Sequence, residues 1–408
     1  MTFTPFIGLP RKHGELRFAI RQITSRSDKL RFVKFPWQVY RGDPYWVPPP
    51  IGERLDSLNP QKNRSFDHLD VALFLAESSS ALSDNQVVGT IAALINRRHN
   101  ESQNEKAGFF GLFEVVNHQP VATALLETVE EWVQEHLPGV TAIRGPMNPS
   151  AALRLNFSPN DVCGTLVDGF NARPLVFTAY NPPYYPELIE TAGYVKAMDL
   201  LAYRQDTVDF TSPANPYLPE PERVIRSVRE RYGLQTRAIN VAEMADEKWR
   251  LKQIHDSAWE HNRSFVPFTD AEMEFIVGGL LKLIDPRLVL FVEKDGEPIA
   301  FGLTLPDVNI PRQKAKGWPF PLRWLRYRLA RRQIDWARVC ALEVVKEFRG
   351  QGVDALLYSE TARTAARLGY RHIECSWIPV DDQESNRMLQ SLGACAYKTY
   401  RIYEKALA

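Results

Sequence analysis

A strand that leads directly into a basic, glycine-containing turn and then a helix most restricts what this chain can fold into. Residues 342–357 read LEVVKEFRGQGVDALL. The apolar run predicts a strand, and the glycines of the turn let the main chain approach a ligand closely. The helix that follows offers N–H groups at its N-terminus, an arrangement typical of loops that hold phosphate groups. The spacing is neither G-x-G-x-x-G nor the nucleoside triphosphate loop G-x-x-x-x-G-K-[ST].

The composition predicts an ordinary globular protein of two domains. The chain has 408 residues, which is too long for one ordinary core. Of these residues, 44% are hydrophobic and 24% charged, as in ordinary globular proteins. The formal net charge of +1 gives no reason to expect nucleic acid as a partner. The cysteines and histidines are too scattered for a metal site, and we expect free thiols in a reducing compartment. Because no apolar run approaches ~18 residues, we expect a cytoplasmic protein without a transmembrane segment.

The same order of elements is predicted twice along the chain: helix, hairpin, strand, helix, strand, helix, strand. In the second copy, Asp295-Gly296 is the turn of the hairpin, because this dipeptide favours a tight two-residue loop. A proline-rich stretch, 207–222, lies between the copies and predicts an extended linker. We therefore expect a first domain at 1–206 and a second at 223–408, both mixed α/β.

The R-G-x-G-V turn after a strand resembles the acyl-CoA pyrophosphate loop of the GNAT acetyltransferase superfamily, and the duplicated order is similar to that fold present twice. The resemblance implies an α/β (α+β) protein with two tandem GNAT-like domains, each a mixed, mostly antiparallel sheet flanked by helices. It implies an acyl-CoA-dependent N-acyltransferase, most simply an N-acetyltransferase, that uses acetyl-CoA or another acyl-CoA. The acceptor would be a small-molecule or peptide amine.

The resemblance also assigns residues. Leu342 and Val344 would flank the pantetheine arm of the donor. The pyrophosphate would lie on the loop, and Asp382 would occupy the position of a CoA-contacting asparagine. The loop residues so assigned are Arg349, Gly350, Gln351, Gly352, Val353 and Asp354.

The sequence departs from the family in three places. Asp354 stands where the family has Gly or Ala, and we expect it to cap the helix and point away from the ligand. Leu389 and Ile189 stand where a tyrosine general acid is common. The first copy has Asn117-His118-Gln119-Pro120 at its loop, without glycine, which predicts a degenerate CoA site. These departures leave open a non-catalytic acyl-CoA-binding or interaction protein, or an aminoacyl transferase.

Other side chains have two interpretations each. Glu343 alternates with Leu342 and Val344 along the strand, so it faces the other side of the sheet. It is either the general base for the acceptor amine or a member of a structural ion pair. His261, Asn262 and Phe265 follow the first helix of the second domain, where they either contact substrate or form a solvated helix end.

A basic insertion precedes the key strand. Residues 311–338 contain nine Lys or Arg residues and one acid, Asp335, with Leu322, Leu325 and Leu329 on one stripe. Such a segment packs on its own protein, binds an anionic ligand or rests on a membrane surface. A peripheral membrane contact through 311–338 is therefore one of the expectations.

Overall fold

The computed structural model describes residues 11–13, 16–78, 86–147, 163–211, 219–259, 269–281, 283–316 and 321–407. The chain folds into two compact units. Unit 1 consists of Met1–Arg173, Phe177–Asp199 and Tyr400–Ala408, and unit 2 of Pro174–Val176 and Leu200–Thr399. The four cysteines are free thiols, as predicted. Within the described ranges, no helix has the length and apolarity needed to cross a membrane.

Unit 1 is built on one sheet with helices around it. Its strands are β1 (Arg11–His13), β2 (Leu16–Gln22), β3 (Leu69–Ser78), β4 (Val87–Asn96), β5 (Ala107–Val115), β6 (Ala142–Gly145) and β7 (Thr165–Asp168). They follow the order β1-β2-β3-β4-β5-β6, in which only the β5–β6 step is parallel. The helices are α1 (Arg26–Lys34), α2 (Pro36–Val39), α3 (Ile51–Ser57), α4 (Arg97–Gln103), α5 (Gln119–His136) and α6 (Tyr185–Thr191).

The core of unit 1 lies between this sheet and α5. The helix starts with Pro120 in its first turn, where a missing N–H costs nothing. Its apolar residues recur every four positions and are completely buried: Val121, Leu125, Val129 and Val133.

Unit 2 repeats this pattern. Its strands β9 (Gln235–Ala238), β10 (Val289–Lys294), β11 (Glu297–Pro306), β12 (Trp336–Val344) and β13 (His372–Pro379) form a sheet in chain order, in which only the β12–β13 step is parallel. The helices are α7 (Pro219–Tyr232), α8 (Met244–Trp259), α9 (Asp270–Leu280), α10 (Asn309–Lys314), α11 (Leu322–Arg331), α12 (Val353–Arg367) and α13 (Gln383–Ser391). The predicted hairpin is confirmed, with Asp295 and Gly296 both at positive φ in its turn.

The sheet of each unit ends in a strand that comes, along the chain, directly after a helix of the other unit. Strand β8 (Val195–Asp206) follows α6, yet its residues 200–206 pair with β13 in unit 2. Strand β14 (Cys395–Ala406) follows α13, yet its residues 403–406 pair with β6 in unit 1. The compact units therefore differ from the contiguous division into 1–206 and 223–408.

The stretch expected to be an extended linker is partly helical. Thr207–Phe210 form a 3-10 turn and α7 begins at Pro219. Prolines in the first turn of a helix lose no hydrogen bond there, so the proline content of 219–222 is compatible with a helix start. This part of the linker prediction was wrong.

Candidate active site

The edge of β12 opens beside the loop that follows it. On one side, β12 pairs with β11 as far as Val344. On the other, its parallel pairing with β13 ends at Val339–Cys375. In the described part of the chain, residues 340–344 therefore have no partner strand on the β13 side.

The main-chain groups of Leu342 and Val344 face this open edge. Val345 donates its N–H to Ile299 at 2.9 Å, so the alternation of an antiparallel ladder directs the groups of Leu342 and Val344 away from β11. The carbonyl of Val344 accepts a hydrogen bond from Arg349 Nε at 3.3 Å. An extended amide-containing ligand could pair with this edge as an added strand would.

The loop between β12 and α12 places two glycines in left-handed conformations. Lys346–Phe348 form a 3-10 turn, after which Gly350 has φ +65° and Gly352 has φ +81°. Gly352 is the N-cap of α12, and no side chain accepts a capping hydrogen bond there. The N–H groups of the first turn are therefore left for a ligand or water, and a helix N-terminus of this kind favours an anion.

A cavity of about 420 Å³ lies against this edge and loop. It is lined by Ala258, Leu342, Glu343, Val344, Arg349, Gly350, Asp354, Asp382, Glu384 and Ser385. Seven of the predicted site residues are thus brought together. Gln351, Gly352 and Val353 belong to the loop without lining the cavity: Gln351 Nε2 donates to the carbonyl of Glu347, and the side chain of Val353 is fully buried.

Asp354 does not cap the helix. It lies in the first turn of α12 without a capping bond and its residue lines the cavity. The prediction that it would point away as a cap was wrong, because Gly352 occupies the N-cap position and leaves Asp354 at N2. Its carboxylate stabilises the helix dipole but adds negative charge beside the loop.

Hydrogen bonds and burial hold the side chains of the segment after β13 in place. Asp382 caps α13 by accepting the N–H of Ser385 at 3.1 Å, so its carboxylate is held at the cavity wall. Asn386 Oδ1 accepts a hydrogen bond from the Tyr203 hydroxyl at 2.7 Å, and its Nδ2 donates to the carbonyls of Pro379 and Asp382. Leu389 is fully buried in the core, and no tyrosine occupies the position of the family's general acid.

Glu343 forms a buried pair with His255 of α8. Nδ1 of His255 lies 2.8 and 3.0 Å from the two carboxylate oxygens, and the side chains are only 2% and 5% exposed. Because Glu343 also lines the cavity, both interpretations of this residue have a geometric basis. The pair holds the carboxylate at the open edge, on the sheet face opposite α12.

The wall of the cavity is acidic. Its lining residues include four acidic ones, Glu343, Asp354, Asp382 and Glu384, and one basic one, Arg349. Such a wall attracts an ammonium group and opposes a polyanion.

The matching edge in unit 1 is closed by tyrosines. Val115 ends β5 as Val344 ends β12, but its N–H donates to Tyr185 Oη at 2.9 Å, and its carbonyl accepts from Tyr184 Oη at 2.9 Å. Glu114 stands at the position of Glu343, and its Oε2 accepts a hydrogen bond from the Tyr185 hydroxyl at 2.8 Å. Desolvation raises the pKa of Glu114 to about 7, against the lowering effect of the tyrosine hydrogen bonds.

Some site residues were missed by the sequence analysis, and some predicted ones cannot be placed. His261, Asn262 and Phe265 lie outside the described residues. Ala258, Glu384 and Ser385 line the cavity without a prediction. The sequence analysis did not identify His255, because nothing local indicates its pairing with a glutamate far along the chain.

Comparisons with known proteins identify the family of this chain. The chain is 32% identical over 394 residues to Protein YghO of Escherichia coli (strain K12), covering 95% of each protein. It is 32% identical over 393 residues to bacterial ceramide synthase of Caulobacter vibrioides (strain NA1000 / CB15N), covering 94% of this chain and 96% of that protein. No protein-family model matches.

Among solved structures, a tandem GNAT protein from the clavulanic acid biosynthesis pathway is similar with a TM-score of 0.53 and 12% identity, over 95% of this chain and 98% of that one. This likeness confirms the predicted fold class. The chain belongs to the family of Protein YghO and bacterial ceramide synthase, and it has the fold of a tandem GNAT protein.

Proposed function

We propose that this protein is an acyl-CoA-dependent N-acyltransferase whose acceptor is the amine of a long-chain amino alcohol. The open β12 edge beside an uncapped helix N-terminus carries the proposal, because it provides the two kinds of contact that an acyl-CoA needs. The relative named bacterial ceramide synthase supports the acceptor class, since a ceramide is a fatty amide of a long-chain amino alcohol. A fatty acyl group is therefore preferred over the predicted acetyl group, and a cytoplasmic location is part of the proposal.

The backbone of the loop fits a pyrophosphate. No atom lies within 4 Å of the position that a Cβ on Gly350 would occupy, so phosphate oxygens can approach the main chain there. Arg349 lines the same wall and adds one positive charge. The carboxylate of Asp354 repels the phosphates of acyl-CoA. We expect this repulsion to weaken the binding of acyl-CoA without abolishing it.

The residues around the open edge suit amide formation. The acceptor amine attacks the thioester carbonyl carbon, a C–N bond forms, the C–S bond breaks, and CoA leaves as the thiol after taking up a proton. Glu343 takes the proton that the amine loses, and His255 holds its carboxylate in place. The N–H of Val344 points toward the edge, where it can stabilise negative charge on the carbonyl oxygen.

The acidic wall suits the acceptor before reaction. An amino alcohol arrives as an ammonium ion, and the carboxylates of Glu343, Asp382 and Glu384 attract it. The ion must lose one proton before its nitrogen can attack, and Glu343 is the carboxylate that adjoins the edge.

A second candidate function is a non-catalytic acyl-CoA-binding protein. Two observations favour it: a leucine, Leu389, replaces the tyrosine general acid, and Asp354 adds negative charge beside the phosphate loop. An aminoacyl transferase with a different donor stays an alternative for the same reason.

A turnover assay separates these functions. The purified protein is incubated with acetyl-CoA or palmitoyl-CoA and with either sphinganine or a short-chain amine, and amide product is measured by mass spectrometry. We expect palmitoyl-CoA and sphinganine to give the amide. Glu343→Gln should abolish most turnover, whereas Glu347→Gln, an exposed neighbour outside the cavity lining, should not. Binding of acyl-CoA without amide from any pair would favour the binding protein, and the absence of binding would refute both.

A further inference from the structure

Helix α11 exposes its apolar stripe to solvent. Leu322, Leu325 and Leu329 are 48%, 49% and 55% exposed, and Trp324 is 53% exposed. Ala330, on another face of the helix, is buried and fixes which side packs on unit 2. Of the three alternatives for residues 311–338, packing on the protein itself does not apply to these leucines.

The three leucines form one continuous stripe along the helix. At 100° per residue, Leu322, Leu325 and Leu329 fall within about 60° of one another, and Ala330 lies well to the side. An apolar stripe of this kind on a soluble protein marks a binding surface more often than isolated exposed apolar residues do.

Arginines surround the stripe. Arg326 and Arg328 flank it on α11, Arg323 and Arg331 lie on the other faces of the helix, and the helix contains no acidic residue. The guanidinium of Arg328 lies 4.7 Å from the ring centre of Trp324, so aromatic and cationic groups share one patch. Upstream, α10 ends in Lys314, whose Nζ donates to Gln333 Oε1 at 2.5 Å and so connects α10 to the turn that follows α11.

We propose that α11 docks unit 2 on the surface of an anionic lipid bilayer. The helix would lie in the interface with its leucine stripe in the acyl boundary and its arginines at the phosphate level, where their long stems reach the headgroups. Charge complementarity favours a bilayer over a second copy of this chain, because two copies of α11 would oppose arginine to arginine. A nucleic acid would match the arginines but leave the leucines in water.

The position of α11 suits an acceptor drawn from a membrane. The chain passes from α11 into β12, whose far end lines the cavity. The seven strand residues from Trp336 to Leu342 span about 20 Å from the first Cα to the last, which is the scale of a long alkyl chain. This last point rests on the proposed function, whereas the docking itself does not.

Vesicle flotation tests the docking without any turnover. The protein is mixed, without acyl-CoA, with one of two kinds of vesicle. Neutral vesicles consist of phosphatidylcholine alone, and anionic vesicles contain phosphatidylglycerol as about one third of their lipid. We expect the protein to float with the anionic vesicles and not with the neutral ones. Replacing Leu322, Leu325 and Leu329 by serine should lower the partition coefficient at least tenfold.

A matched control uses three exposed valines elsewhere in unit 2, Val208, Val224 and Val241. Their replacement by serine should leave flotation unchanged, and thermal unfolding checks that every variant folds.

Three results would overturn the proposal. The first is no flotation with either vesicle. The second is equal flotation of the leucine variant and the valine control. The third is loss of flotation in the Arg323→Gln, Arg328→Gln, Arg331→Gln variant with full retention in the leucine variant, which would indicate a polyanion site instead. Amide formation in detergent from sphinganine tests the proposed function separately, since the leucine variant should retain it.

Discussion

Replacing Gly350 by alanine should separate the ligand-binding role of the loop from its backbone strain. Gly350 has φ +65° and lines the cavity, and an added Cβ would meet no protein atom within 4 Å. The left-handed conformation costs an L-residue ~1–2 kcal/mol. We therefore expect a small loss of stability from strain and a separate loss of acyl-CoA affinity from the methyl group in the ligand's space.

The size of the affinity loss follows from the contacts at stake. A hydrogen bond to a charged phosphate contributes ~1.5–3 kcal/mol, so displacing one should weaken binding about tenfold to a hundredfold. Gly369→Ala is the matched control: Gly369 has φ +90° and equally open surroundings, but it follows the far end of α12. Helix α12 has 15 residues and spans about 22 Å, so Gly369 at its C-terminal end lies well away from the loop at its N-terminal end.

Calorimetric titration with acyl-CoA and denaturant unfolding measure the two effects on both variants. We expect similar stability losses for Gly350→Ala and Gly369→Ala, and reduced affinity for Gly350→Ala alone. Unchanged affinity of Gly350→Ala, or an equal loss in both variants, would refute the assignment of the loop.

Four further predictions concern charged groups. Asp354→Ala should raise acyl-CoA affinity by about threefold to tenfold in a titration at low salt, since a carboxylate beside the phosphates is removed; the gain should shrink at high salt, and an unchanged affinity would place the phosphates elsewhere. His255→Ala should destabilise unit 2 by about 3 kcal/mol in denaturant unfolding, because it leaves the buried Glu343 carboxylate without this partner. Glu343→Gln should keep the fold and lower kcat about a hundredfold or more, and full activity of this variant would exclude Glu343 as the base. The pKa of Glu114 is raised in the fold from 4.5 to about 7, so the neutral form is favoured there, and stability present below pH 4.5 should be lost, by up to about 3 kcal/mol, as the pH rises through 7. Unfolding of Glu114→Gln between pH 4.5 and 8 should lack this slope, and the same slope in both proteins would show that another group causes it.

Local patterns were enough to predict most elements of the fold. The spacing of the leucines, valines and alanines located α5 and α12, and Asp295-Gly296 located a hairpin turn, because these features depend on neighbours a few residues apart. The exchange of β8 and β14 between the sheets could not be predicted in this way. Periodicity marks a strand and its buried face, but its partner is chosen by contacts far along the chain.

The same limit applies to the candidate site. The glycines of the loop and the alternation of Leu342, Glu343 and Val344 were visible in the sequence. The partner of Glu343, the acidity of the wall contributed by Glu384 and the closure of the unit 1 edge by tyrosines were not. Each of these depends on the packing of helices against a sheet edge, for which the sequence carries no local pattern.

An experimental structure of the protein with a non-hydrolysable thioether analogue of palmitoyl-CoA tests the central claim most directly. We expect the pantetheine arm to pair with the main chain of Leu342 and Val344, and the pyrophosphate to lie on the N–H groups from Gly350 to the first turn of α12. The acyl group would then lie within reach of Glu343. An analogue bound against unit 1, or elsewhere on unit 2 with the β12 edge left free, would contradict it.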